Sequence, residues 1–300
     1  MTELVAASDL DMAKRVAFSK KWGVRAVYEN YKKMLSSEKI DILSVSTPPD
    51  THWSVIREAS RHPLKAIYCE KPIAESLDDA NKIVALCKKS SILLFVNHQR
   101  RFGLFYQELK QKLIDGTLGT VQQATCYYTR GISNTCTHMI DLFIFLFGDV
   151  AGVEACTSLN ASPFQNDPNI DGTIYFKSGL ALSLKALDDK NYLTLETDIW
   201  TTKARIRMGE ALEFFRIVSG KNLLNRPELA AAQTPFKAVY PKYGMVSLDR
   251  GVEHIARCLR MKEKPVSTGE SATQALAVIR AMLDRAKING KHYAGRGAKR

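Results

Sequence analysis

Three stretches of this chain follow apolar runs and are dense in groups that bind polar ligands and carry protons. Thr47-Pro48-Pro49-Asp50-Thr51-His52 follows the run ending at Ser46, Glu70-Lys71-Pro72 the run ending at Cys69, and Asn97-His98-Gln99-Arg100-Arg101-Phe102 the run ending at Val96. A fourth stretch, Asn134-Thr135-Cys136-Thr137-His138-Met139-Ile140-Asp141-Leu142, gathers an amide, an imidazole and a carboxylate. Imidazole, with an ordinary pKa of ~6.5, suits proton transfer near neutrality. The six cysteines (Cys69, Cys87, Cys126, Cys136, Cys156 and Cys258) include no pair at two-residue spacing. That pattern argues against a zinc site and a disulfide framework, and the thiols read as reduced and mostly buried.

For these groups to share a rim, the apolar runs must be parallel strands, because ligands of open parallel sheets bind at the strands' carboxyl ends. The first hundred residues alternate accordingly. Strands are expected over 2–7, 25–28, 42–46, 66–69 and 92–96. Helices are expected from an Asp9 cap to Trp22, where Gly23 stops the run, over 31–36, over 51–60, and from a Ser76 cap to Lys89. Alternating β and α units of this length predict a parallel sheet covered on both faces.

The pattern changes after Gly119. Strands are expected over 120–129, 150–159, 173–176, 180–187, 192–197, 204–208 and 212–218, with a helix over 137–147. Lys177-Ser178-Gly179 is a turn signal, and the runs predict a mainly antiparallel sheet. Two helices, 247–261 and 270–287, close the chain, with Gly290 just past the second. The predicted fold class is α/β: a doubly wound Rossmann-type domain over 1–118, and an α+β domain with a large open sheet over 119–300.

In this order the four motifs resemble those of the Gfo/Idh/MocA (glucose–fructose oxidoreductase / inositol dehydrogenase) oxidoreductases, from about residue 3 to residue 150 and more loosely beyond. The resemblance implies hydride exchange between NAD or NADP and a secondary alcohol of a sugar, polyol or sugar derivative. It implies that Lys71 is the catalytic lysine, hydrogen-bonding the reacting oxygen and stabilising alkoxide charge. His138 is then the general base, and Asn134, four residues earlier, lies on the same helical face and orients substrate or imidazole. Many relatives carry aspartate at that place, and asparagine cannot balance an imidazolium. Arg100, Arg101 and Asp141 are further substrate-facing candidates; Ser46, Thr47, Pro48, His52 and Glu70 are candidates for the cofactor side, with Glu70 also able to hold Lys71 in place. His52 and His98 read otherwise as loop or capping residues.

A dinucleotide fold ordinarily opens on a strand and a Gly-rich turn, yet the first glycine here is Gly23, which ends a helix. The opening strand ends in Ser8-Asp9, as the second strand of such a fold does, and an acid there binds ribose hydroxyls and favours NAD over NADP. The expectation is therefore that the first strand and phosphate turn, roughly thirty residues, are missing. That absence and Asn134 favour an alternative, a non-catalytic ligand-binding or regulatory protein on the same scaffold; Lys71 and His138 count against it. Redox-assisted glycoside cleavage is a third reading, disfavoured by the same absence.

The 300 residues are 45% hydrophobic and 25% charged, ample for a buried core. The net charge of +12 is scattered, with local enrichment only at Lys287, Lys291, Arg296, Lys299 and Arg300, and lacks the patterning of a nucleic-acid binder. No apolar run approaches the ~20 residues that span a bilayer, and the N-terminus has no secretory pattern, so a cytoplasmic location is expected. The open sheet face predicts a homodimer or homotetramer through the C-terminal domain.

Overall fold

Short β-rich runs bounded by polar turns form the strands of the computed structural model, which describes residues 2–209, 212–219, 230–236 and 248–297. They divide into two units, Met1–Phe102 with Ser247–Thr273, and Gly103–Val246 with Gln274–Arg300.

In the first unit, β1 (Ala6–Ser8) and β2 (Ala26–Tyr28) pair in parallel, Ala6 opposite Ala26. α1 (Met12–Trp22) connects them and α2 (Tyr31–Ser37) follows. β3 (Ile42–Val45), β4 (Ala66–Cys69) and β5 (Leu93–Val96) form a parallel sheet of their own, connected by α3 (His52–Ala59) and α4 (Leu77–Lys89). Among the described residues the two sheets share no ladder. Ala66, Ile67, Cys69, Phe95 and Val96 are fully buried, as strands covered on both faces require. The cap of α1 differs from expectation: Asp11, not Asp9, accepts from the Ala13 and Lys14 amides, because Asp9 lies too far back and accepts from Asp11 N at 2.8 Å. Gly23, at φ 70°, closes that helix, and Ser76 caps α4 as predicted. Met12, Val16 and Trp22 leave α1 exposed, with no buried residue.

The second unit opens with α5 (Leu104–Ile114), which the sequence reading lacked. Its Tyr106 and Leu109 enter the second unit's core beside α6 (Thr137–Phe147), so the division falls after Phe102 rather than at 118/119. Among the described residues the sheet has eight strands: β6 (Val121–Tyr128), β7 (Val150–Thr157), β8 (Ile170–Phe176), β9 (Ala181–Ala186), β10 (Leu195–Thr201), β11 (Ala204–Met208), β12 (Leu212–Ser219) and β13 (Ala230–Phe236). Their order is β13-β12-β11-β10-β6-β9-β8-β7, antiparallel except for the parallel pair β6–β9. One face carries Ala124, Cys126, Tyr128, Leu182, Leu184 and Ile199 into the core with α6. The other exposes Tyr127, Lys185, Glu196 and Arg207. The strand expected at 192–197 is shifted to Leu195–Thr201 by its ladder with β6, and β13 was not foreseen.

The chain closes with α7 (Leu248–Met261), whose expected first residue Ser247 lies outside the described residues, and α8 (Gly269–Gly297). α8 runs past the expected end and includes Gly290; Lys299 and Arg300 of the basic tail lie outside the described residues. No described helix is long and apolar enough to cross a membrane, and no group of three metal-ligating side chains occurs among the described residues.

Candidate functional site

The carboxyl ends of β3, β4 and β5 lie side by side, with Val45 opposite Cys69 and Cys69 opposite Val96. Beyond β3, Ser46, Thr47 and Pro48 are exposed, followed by a 3-10 turn over Pro49–Thr51. The Thr51 hydroxyl lies 2.7 Å from both Thr47 Oγ1 and the Pro48 carbonyl, which tightens this turn.

His52 stands behind the turn and is fully buried. Its Nε2 lies 2.8 Å from the Thr47 carbonyl, and its Nδ1 3.1 Å from the Ile73 carbonyl and 3.3 Å from Cys69 Sγ. A neutral imidazole has one N–H to donate. The shortest contact assigns it to Nε2, leaving Nδ1 beside a thiol that burial and then the Glu70 charge hold far above its ordinary pKa. His52 therefore anchors the Thr47 turn from behind, with Nδ1 facing the Cys69 thiol, and is fully buried itself.

Beyond β4, Glu70 is held from two sides. Asn97 Nδ2 donates to its Oε1 at 2.7 Å, and the Lys71 amide to its Oε2 at 3.3 Å. Asn97 is fixed in turn by the Tyr68 hydroxyl, which donates to its Oδ1 at 2.5 Å. Burial, then the Glu70 charge, raises the Tyr68 phenol well above its ordinary pKa, so it stays a neutral donor. Lys71 is half-buried and precedes a cis peptide bond to Pro72.

Of the groups beyond β5, Asn97 and His98 are buried and Arg100 is half-buried. Arg101 is 5% exposed and donates to the Val266 carbonyl at 3.2 Å, an inward role the sequence did not reveal. Asp9 is exposed at the end of β1.

On the second unit, Asn134, His138 and Asp141 share one continuous helical stretch, whose first part, Gly131–Cys136, is a π-helical turn leading into α6. A π turn bonds i to i+5, so Asn134 is not one α-helical turn from His138 as expected. Asn134 is exposed, His138 half-buried, and Asp141 fully buried among the apolar residues of α6. The sequence reading missed Asp167 and Asn169. Asp167 accepts from the Ser133 and Asn134 amides at 2.8 and 2.7 Å, and Asn169 Oδ1 from the Gly131 amide at 2.8 Å. Asp-Pro-Asn reads locally as a turn signal, and nothing local links it to a helix over thirty residues earlier.

Residues 1–98 match the model of an oxidoreductase family with an NAD-binding Rossmann fold. The chain is similar to the D-apiose dehydrogenase of Paraburkholderia graminis, 26% identical over 93% of this chain and 80% of that protein. It is also similar to the myo-inositol 2-dehydrogenase of Thermotoga maritima, 27% identical over 39% of this chain and 34% of that enzyme's length. Among solved structures, the WlbA dehydrogenase of Bordetella pertussis, in complex with NADH and UDP-GlcNAcA, aligns with a TM-score of 0.74 at 20% identity, covering 95% of this chain and 88% of that one.

Proposed function

We infer from the match over residues 1–98 and from its sugar- and polyol-dehydrogenase relatives that the chain is a Gfo/Idh/MocA oxidoreductase, and we propose that it oxidises or reduces one secondary alcohol of a sugar, polyol or sugar derivative with a nicotinamide cofactor. The observation that carries this reading is the clamp on Glu70, held by Asn97 on one oxygen and the Lys71 amide on the other, at the end of a central parallel strand. Such a clamp defines where the Lys71 backbone stands.

The residues present fit the nicotinamide and ribose parts of the cofactor: an exposed turn at Ser46, Thr47 and Pro48, a fixed carboxylate at Glu70, and an exposed carboxylate at Asp9. Asp9 suits ribose hydroxyls and would repel a 2′-phosphate, which favours NAD over NADP. A bound nicotinamide supplies the hydride acceptor or donor. Lys71 donates a hydrogen bond to the reacting oxygen and stabilises its negative charge. His138 takes the hydroxyl proton in oxidation and returns it in reduction. Arg100 and Asn134, the less buried polar candidates, bind substrate hydroxyls. Self-association into a homodimer or homotetramer through the open face of the second unit's sheet, which sedimentation velocity reads, belongs to the same proposal.

Titration with NADH and NADPH by nicotinamide fluorescence, followed by a panel of sugars and polyols, tests it. NADH is expected to bind more tightly to a version given an N-terminal strand and Gly-rich turn than to the chain as it stands, and in that version Lys71→Met should lower kcat by about 10²–10³-fold with cofactor affinity kept. Failure of both cofactors to bind either version sinks the oxidoreductase reading, and binding without turnover of any sugar or polyol leaves a ligand-binding protein.

A further inference from the structure

The first four amides of a helix have no partner inside it and must find one elsewhere. In the stretch that carries His138 they belong to Gly131, Ile132, Ser133 and Asn134. Three consecutive residues of a distant loop accept from all of them: Asn169 Oδ1 from Gly131, the Pro168 carbonyl from Ile132 at 3.2 Å, Asp167 Oδ1 from Ser133 and Asp167 Oδ2 from Asn134. The loop is itself anchored. Asn169 is 2% exposed, and its Nδ2 lies 3.0, 3.2 and 3.4 Å from the Asn160, Ala161 and Leu187 carbonyls. The fit is close from the helix side as well. Gly131 has φ +85°, and a Cβ there would stand 2.1 Å from Asp167 Oδ2 and 2.9 Å from the Asp167 carbonyl oxygen. Asp167 also places a carboxylate at the positive end of the helical stretch, where a negative charge is favoured.

We propose that Asp167, with Pro168 and Asn169, is the positioning device of the proposed proton-transfer residue: it fixes the start of the π turn, and through it the setting of His138 two residues beyond that turn. The inference rests on the reading of His138 as the base. Asp167 acts through the helix, by way of the Ser133 and Asn134 amides. Asn134, whose amide it holds, is fixed by the same contact. A π turn is intrinsically rare and short, and an external acceptor for each free amide is what such a turn needs to persist.

The test compares parent, Asp167→Ala, Asp167→Asn, Gly131→Ala and His138→Ala in the full chain. Misplacement of a reacting group by a fraction of an ångström costs about 10- to 100-fold in rate, so Asp167→Ala and Gly131→Ala are expected to lower kcat by that factor. The KM for cofactor should stay within about twofold, and the primary deuterium isotope effect on kcat should rise as the chemical step becomes limiting. Asp167→Asn keeps one acceptor oxygen and should recover part of the loss. Amide hydrogen exchange, which needs no activity, should quicken at 131–138 in both Asp167 variants. Unchanged kcat and isotope effect in Asp167→Ala, or unchanged exchange over 131–138, overturns the proposal. If His138→Ala keeps the parent's turnover, the reading of His138 fails instead, and the exchange result still decides whether Asp167 holds the turn.

Discussion

Asn97 stands between two groups that lose their partner without it. Its side chain accepts from the Tyr68 hydroxyl and donates to Glu70, and it is 5% exposed. Asn97→Leu would leave both a phenol and a carboxylate oxygen unsatisfied, at about 1 kcal/mol or more for each; Tyr68→Phe leaves one group, Asn97 Oδ1, without its donor and should cost about 1 kcal/mol. Urea unfolding should rank the variants in that order. The larger loss in Tyr68→Phe would mean that the phenol has a stronger unrecognised partner than Asn97. At this scale the sequence showed which residue types could do chemistry but not which way they point. His52 and Arg101 sit in motifs that suggest rim ligands, yet both turn inward. The partner of Arg101, Val266, is set by how the chain folds back, and no local pattern carries that, whereas the partner of His52, the Thr47 carbonyl, lies in the adjoining turn.

The elements themselves were largely legible, because strands and helices follow from hydrophobic period and caps. β4 and α6 were read to the residue. The misses have physical causes. β10 was displaced because its register is set by pairing with β6, not by its own composition. The π turn was invisible because acceptors on another loop impose it. α7 shows a second long-range constraint. A Cβ on Gly251 would stand 2.4 Å from Tyr68 Oη, 3.0 Å from Tyr68 Cζ and 3.5 Å from Phe102 Cδ2. Gly251→Ala therefore has to displace the Tyr68 phenol or shift α7, and overpacking of this kind costs about 1–3 kcal/mol. Removing the hydroxyl removes the closest clash. The double variant Tyr68→Phe/Gly251→Ala is thus expected to lose clearly less stability than the two single losses together. Strict additivity in thermal or urea unfolding would show that α7 accommodates the methyl group without touching the phenol.

At the scale of the molecule, the partition at 118/119 missed that the first unit is built from two distant stretches, the chain leaving at Phe102 and returning at Ser247. Sequence order gives no sign of such a return, because it depends on which surfaces cover one another. The returning stretch is latched by Ser267 Oγ donating to the Val96 carbonyl at 2.7 Å, by Arg101 on Val266, and by His254. His254 is 1% exposed; its Nε2 accepts from the Val266 amide at 3.2 Å, which places the ring proton on Nδ1, 3.2 Å from Glu263 Oε1. Protonating Nε2 would set two donors against each other. Burial is the main cause that holds the imidazole below its ordinary pKa, and Arg257 adds to it; Glu263 acts the other way. The folded pKa thus lies under the unfolded value of ~6.5, so between the two the unfolded chain binds more protons and stability rises with pH. The contribution is complete above ~6.5 and is lost as pH falls through the folded value. Glu263, held below its ordinary pKa chiefly by Arg257, adds a loss of the same sign at lower pH. The unfolding temperature of the parent should therefore fall between pH 7 and pH 5. His254→Gln, less stable at neutrality, should show a flatter profile over that interval. Parallel profiles for the two proteins would place the acid sensitivity elsewhere and remove His254 from the latch.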